Sequence, residues 1–162
     1  MGTRDWVLAF AATLLVTTLT AHAADKPCVE LKTSGETEQE VVEQGNKVKR
    51  LVPIDKIVPG DEVVWTITAK NVCKTATDNM VIANPVPEHM TYVVGSAMGT
   101  GTDITFSVDG QEFKNAADLQ VRAADGTMHV ARPDDYRAVR WAYKASFAPG
   151  AIAFVRYRAV VK

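Results

Sequence analysis

Residues 58–71 read V-P-G-D-E-V-V-W-T-I-T-A-K-N, and the fold is decided there. Pro59-Gly60 is a turn signal, because proline pre-sets φ at about −65° and glycine supplies the positive φ that a type II turn needs at its next position. The residues that follow alternate, with Trp65, Ile67 and Ala69 on one side and Thr66, Thr68 and Lys70 on the other. A period of two with one apolar face is the pattern of a strand that buries one side. The stretch is architecture and carries no chemistry of its own.

Toward the N-terminus, residues 47–54 (K-V-K-R-L-V-P-I) have strand character, and Pro53 confines their end to an edge or a terminus. Residues 40–46 hold Val41-Val42 beside Glu43 and Gln44, a short strand or a bulged continuation, and Gly45-Asn46 turns the chain. Residues 35–39, with Gly35 and the acidic Glu36 and Glu38, read as a loop. It ends a first strand, residues 28–33, in which apolar and charged positions nearly alternate.

Toward the C-terminus, a mostly polar connection leads to Met80-Val81-Ile82-Ala83, an apolar run bounded by Asn84-Pro85-Val86-Pro87 and read as a strand. Met90-Thr91-Tyr92-Val93-Val94 is a further strand ended by Gly95-Ser96, and residues 99–102 are a glycine-rich turn. Residues 104–108 (I-T-F-S-V) alternate cleanly, and Asp109-Gly110 predicts a two-residue hairpin that folds residues 111–113 back on them. Residues 116–124 have the composition of a short helix or an irregular segment, closed by Asp125-Gly126. After a turn at Arg132-Pro133-Asp134-Asp135, Val139, Trp141 and Tyr143 share one strand face and Arg140 is expected to face water. Pro149-Gly150 repeats the proline-glycine device ahead of a closing strand, where Ala153, Val155, Tyr157, Ala159 and Val161 alternate with Ile152, Phe154, Arg156, Arg158 and Val160.

Some seven to nine short strands with turn signals between them, and no convincing long helix, predict an all-β, antiparallel β-sandwich rather than a barrel. The expected core is Leu31, Val48, Val63, Trp65, Ile67, Ile82, Tyr92, Phe106, Val139, Trp141, Tyr143, Val155 and Tyr157.

The first residues bear on compartment. Arg4 precedes an apolar run over residues 7–19, and Ala21-His22-Ala23 fits the A-x-A cleavage pattern of a secretory signal peptide, so residues 1–23 are expected to be removed. The run is about a dozen residues where a membrane span needs roughly 20, so no stable membrane anchor is expected after cleavage. Removing 23 of 162 residues leaves 139, residues 24–162, enough for one domain with an ordinary core. Arg4 and Asp5 leave together, so the formal net charge stays at −1. A balance this close to neutral lacks the basic footprint of nucleic-acid binding, and that class is set aside. Cys28 and Cys73 form an even pair, and export to an oxidising compartment favours a disulfide between them over two separate buried thiols. Such a bridge closes a loop of about 46 residues, worth roughly 4 kcal/mol in the chain-entropy account.

The ordered set Val58-Pro59-Gly60-Asp61 before Val64-Trp65-Thr66-Ile67-Thr68 and Asn71, then Asn84-Pro85-Val86-Pro87 with Met90-Thr91-Tyr92-Val93 and Gly95-Ser96, then Val139-Arg140-Trp141 and Phe147-Ala148-Pro149-Gly150, resembles the DUF11 family, a conserved repeat domain of bacterial exported and surface proteins. The resemblance covers residues 47–161 in a single copy, and departs from the family's usual pattern at Trp65, where tyrosine is common, and at Asn84, where aspartate is. It implies an immunoglobulin-like β-sandwich without catalytic residues.

Outside the signal segment only His89 and His129 remain, and neither lies beside a second metal ligand at helical spacing. No H-E-x-x-H, P-loop, nucleotide-binding glycine motif or nucleophile elbow is present. Asp61-Glu62, Asp78-Asn79 and Asp134-Asp135 fall in turns, where their oxygens suit calcium or, more simply, the turns themselves. Lys70 and Asn71 raise an intramolecular isopeptide bond, but adjacent strand residues point to opposite faces and no acidic partner is identifiable. The expectation is an exported, non-enzymatic sandwich without cofactor or metal, in the periplasm or secreted, acting in binding, adhesion or envelope assembly. Its alternative is a metal-dependent carbohydrate-binding module or small exported enzyme built on the turn acids. Ile152, Phe154 and Val160 put more apolar surface on the outer face of the closing strand than a solvated strand carries. They are the expected contact surface for a protein partner or for self-association, through the sheet edge or outer face.

Overall fold

A computed structural model describes residues 27–162; the expected signal segment, residues 1–23, lies outside them. Eleven strands follow in chain order: β1 (Val29–Glu43), β2 (Asn46–Pro53), β3 (Glu62–Asn71), β4 (Val81–Pro85), β5 (Met90–Tyr92), β6 (Met98–Gly99), β7 (Thr102–Ser107), β8 (Gln120–Arg122), β9 (Met128–Val130), β10 (Ala138–Tyr143) and β11 (Ile152–Val161). Two single-turn 3-10 helices, Ala116–Asp118 and Pro133–Asp135, interrupt them. The strands form a larger sheet in the order β2-β1-β3-β11-β5, with β6 also on β11, a three-stranded sheet β4-β10-β7, and the small β8-β9 hairpin. Every pairing is antiparallel. The fold is the expected antiparallel sandwich, and the strands beyond the expected number are the two- and three-residue pieces β6, β8 and β9.

The turn before β3 forms as its residues dictate. Gly60 has φ +95°, and the Asp61 N–H donates to the Val58 carbonyl at 3.0 Å. β3 then lies between β1 and β11, and Val63, Ile67 and Ala69 enter a core shared with Ile82 of β4, Tyr92 of β5, Val139 and Trp141 of β10, and Val155, Tyr157 and Ala159 of β11.

Residues 35–39 are strand, not loop. β1 runs unbroken for 15 residues, pairing with β3 through residues 29–36 and with β2 through residues 36–43. Gly35 lies opposite Trp65, and a Cβ there would stand 2.7 Å from Ile54 Cδ1 and 3.2 Å from Trp65 Cζ3, so the glycine clears room for the indole instead of breaking the strand. The turn to β2 falls one residue earlier than expected: Gln44 and Gly45 take φ of 48° and 82° between the paired Glu43 and Asn46. Two successive positive φ values are the two-residue hairpin turn that matches strand twist.

Asp109-Gly110 makes a wider loop than a two-residue hairpin. The Ser107 hydroxyl accepts the N–H groups of Asp109 and Gly110, the Asp109 carboxylate accepts those of Gln111 and Glu112, and the chain returns only at Lys114, opposite Phe106. Residues 116–130 hold the first 3-10 turn and the β8-β9 hairpin, with Leu119 in the core. Leu31, expected in the core, is 53% exposed: it lies on the outer reach of β1, and the three-stranded sheet is too narrow to cover it. Val48, Trp65, Phe106 and Tyr143 are half-buried. Arg140 is partly covered, its guanidinium carbon 4.6 Å from the centre of the Phe113 ring and its Nε donating to Thr105 Oγ1 at 3.0 Å.

Candidate functional site: the outer face and open edge of the last strand

β11 alternates as its sequence predicts. Val155, Tyr157 and Ala159 are fully buried, while Ile152 and Phe154 stand 55% and 59% exposed on the opposite face. Their cross-strand neighbours on β3 are Lys70 and Thr68, so the apolar pair is flanked on that side by polar side chains. Val160 is half-buried between Glu62 and Thr91. Six residues of strand, roughly 20 Å, separate it from Phe154. Arg156 and Arg158 point outward between them, so the structure joins Ile152 to Phe154 and leaves Val160 apart.

The other side of β11 is paired to β6 at Val155 and Arg156 and to β5 at residues 159–161. Among the described residues no strand pairs with residues 152–154 on that side. Gly150 N–H donates to the Asn71 carbonyl and Asn71 N–H to that of Ala151, whereas the Arg158 carbonyl accepts Val93 N–H on the far side. By the antiparallel alternation, Ile152 and Phe154 direct their own N–H and C=O groups away from β3; the Val155–Gly99 pairing sets the Phe154 carbonyl against Thr100, and Ile152 faces the open edge. A hollow of about 280 Å³ lies at this edge, lined by Thr100, Tyr143, Ile152, Ala153 and Phe154. Thr100 and Tyr143 could not be assigned to it from sequence, because only the fold brings the glycine-rich turn and the end of β10 beside β11.

The open edges of β2 and β1 carry charge or proline, the usual devices against strand addition, whereas β9 presents the exposed Met128 and Val130. β2, the outermost strand of the larger sheet, holds Lys47, Lys49, Arg50 and Pro53, and the open half of β1 holds Glu30 and Lys32. Residues 152–154 read I-A-F.

The end of the sheet where β11 begins is held firmly. Cys28 and Cys73 form a disulfide, their Cα atoms 5.0 Å apart, and Val72 N–H donates to the Cys28 carbonyl at 2.8 Å. Asn71 is buried, and its side chain is fully used: Nδ2 donates to the carbonyls of Thr75 at 3.0 Å and Phe147 at 2.8 Å, and Oδ1 accepts Cys73 N–H at 3.0 Å. Lys70 points outward and is exposed. Asn71 is thus a tie between the end of β3 and the segment leading into β11.

Farther along the outer face, Arg158 donates to Glu62 at 2.6 Å and Glu38 at 2.5 Å, and Lys49 reaches Glu38 at 3.4 Å. The Arg158 guanidinium holds the Glu38 carboxyl below the usual glutamate range. These residues line a polar concavity of about 680 Å³ beneath the β1-β2 arm.

The turn acids are occupied locally. Asp61 accepts Val58 N–H at 2.8 Å, Asp134 accepts the Thr91 hydroxyl at 2.6 Å, and Asp135 accepts Arg132 N–H at 2.8 Å. Asn79 takes φ +52° in the turn before β4. His129 Nδ1 lies 2.9 Å from its neighbour's carbonyl at Val130. Among the described residues no three His, Cys, Asp or Glu side chains gather where they could hold a metal, and no helix is long and apolar enough to cross a membrane.

Comparison with family models, curated proteins and solved structures finds no match to this chain.

Proposed function

We propose that this chain is an exported, non-catalytic β-sandwich that acts by binding a protein partner, in adhesion or envelope assembly, through the outer face and open edge of β11. The observation that carries the reading is the coincidence of two exposed apolar side chains, Ile152 and Phe154, with a strand edge that neither β5 nor β6 covers at Ile152. An added strand gains main-chain hydrogen bonds from such an edge, and the hollow beside it accepts one side chain of the incoming segment. Export rests on the signal-peptide pattern of residues 1–23 and on the Cys28–Cys73 disulfide, a bond that persists in oxidising compartments. The DUF11 resemblance supports the same reading. No observation favours the metal-dependent alternative: Asp61 and Asp135 accept N–H groups of their own turns and Asp134 accepts the Thr91 hydroxyl.

A photo-crosslinking residue in place of Phe154, in the full chain expressed in its native host, tests this directly. A discrete crosslinked protein adduct is expected at position 154 and not at Val130, which is also exposed, on the β8-β9 hairpin. Equal labelling at both positions, or none at 154, overturns the reading.

A further inference from the structure

We infer that the Cys28–Cys73 bridge is a redox-sensitive switch for the start of β11, so that only the oxidised chain holds the edge at Ile152 in order. A run of hydrogen bonds through the end of β3 connects the two. Val72 N–H donates to the Cys28 carbonyl at 2.8 Å, and Cys73 N–H to Asn71 Oδ1 at 3.0 Å. The Asn71 backbone then takes both ends of the turn into β11: its N–H donates to the Ala151 carbonyl and its carbonyl accepts Gly150 N–H, each at 3.0 Å. Its Nδ2 donates to the Phe147 carbonyl at 2.8 Å.

The bridge sits where the sheet has least other support. Cys28 stands one residue before the first pair of β1, Val29 with Asn71, and strand ends that are not tied down fray. On its other side, β1 has no partner strand over residues 29–35 among the described residues. Once the bridge is cut, fraying of Cys28 takes the acceptor from Val72 N–H and frees Cys73. Asn71 Oδ1 then loses the N–H that orients its amide, and with it the aim of Nδ2 at Phe147. The loosening is bounded. Phe147 keeps its mutual backbone pair with Thr77, and from Val155 onward β11 is held by β3 on one side and by β6 and β5 on the other.

Both cysteines are half-buried, within reach of a small dithiol. The step is thiol–disulfide exchange: one thiolate of the dithiol attacks a bridge sulfur, and its second thiol displaces the other cysteine from the mixed disulfide. Two electrons and two protons pass to Cys28 and Cys73, and the reagent closes to a cyclic disulfide. An exported chain is reduced before it crosses the membrane and oxidised after, so the apolar edge is completed in the compartment where a partner meets it. That last consequence rests on the reading of β11 as a binding edge; the coupling of bridge to strand does not.

Amide hydrogen exchange on a chain of residues 24–162, oxidised and after reduction with dithiothreitol, tests the coupling without any partner. Reduction is expected to speed exchange at Asn71, Val72 and Gly150 by at least about tenfold, with Trp141 and Tyr157 in the core unchanged. Cys28→Ser/Cys73→Ser is expected to match the reduced chain. Equal exchange at Gly150 in the two redox forms overturns the inference. Acceleration at Trp141 and Tyr157 as large as that at Gly150 also overturns it, because the bridge then holds the whole sandwich and not the start of β11. Crosslinking from position 154 in the native envelope fraction adds the functional readout, with adduct yield expected to fall several-fold on reduction; an undiminished yield overturns the switch. No adduct from either form counts against the binding reading of β11 alone, and the exchange result still decides the inference.

Discussion

Asn71 and Tyr157 show how much of this fold hangs on single polar groups inside an apolar core. Replacing Asn71 by alanine removes three hydrogen bonds at once and leaves the Phe147 carbonyl and Cys73 N–H without that partner. Buried groups left unpaired cost about 1–3 kcal/mol each, so Asn71→Ala is expected to lower stability by about 2–4 kcal/mol in a denaturant titration. Tyr157 crosses from one sheet to the other: its hydroxyl donates to the Pro85 carbonyl at 2.8 Å and accepts from Asn84 Nδ2 at 3.0 Å. Burial pushes its phenol up to about 12, against the smaller opposing effect of the Asn84 hydrogen bond. The unfolded chain loses that proton at about pH 10, so the native state keeps it longer and the associated stability falls as pH rises from about 10 to 12. Tyr157→Phe is expected to cost about 1–2 kcal/mol at neutral pH and to flatten part of this alkaline decline, the remainder belonging to Tyr136 and Tyr143, which burial also raises. At this scale the sequence is a partial guide. Tyr157 is legible as core from its strand period, whereas Asn71 reads as a strand-end polar residue, because Phe147, the partner that makes it a tie between segments, is brought to it only by the fold.

At the scale of elements, β1 and β11 carry the account. β11 is legible almost residue by residue, since a one-sided strand announces its faces through alternation alone. β1 is not: Gly35 and its acidic neighbours have the composition of a break, and the reason they extend, room for the Trp65 ring, lies on another strand. Beyond Glu36, β1 and β2 pair only with each other, an arm of the kind that is marginal by itself. Arg158 anchors the base of this arm through Glu38. Arg158→Met is expected to speed amide hydrogen exchange across residues 37–52 several-fold while leaving β3 and β10 protected. Equal protection of the arm in the variant argues that the ion pairs are incidental. Because Glu38 is held below its ordinary range, the anchoring is complete above that range and is lost as pH falls through the depressed value, so acid should loosen the arm before the core. The open edge at Ile152 is visible in sequence only as an apolar excess; that no strand covers it follows from β5 and β6 being too short to reach it.

For the whole molecule, two antiparallel sheets enclose one apolar core, and the features that point to a role lie on its periphery. The Cys28–Cys73 bridge and Asn71 brace the end of the larger sheet, and β11 leaves that braced end with Ile152 and Phe154 outward. A rigid scaffold that presents apolar strand edge without catalytic groups nearby is suited to recognition, and that is the central claim. The measurement that bears on it most directly compares a chain of residues 24–162 with its Ile152→Ala/Phe154→Ala variant, in capture of partners from the native envelope fraction alongside thermal unfolding. The partner identified by crosslinking at position 154 should be lost by at least about tenfold in the variant while the melting temperature moves by no more than about 2 °C, as befits exposed positions. Undiminished capture of that partner, or a fall of about 10 °C or more that marks the two residues as core, would contradict it.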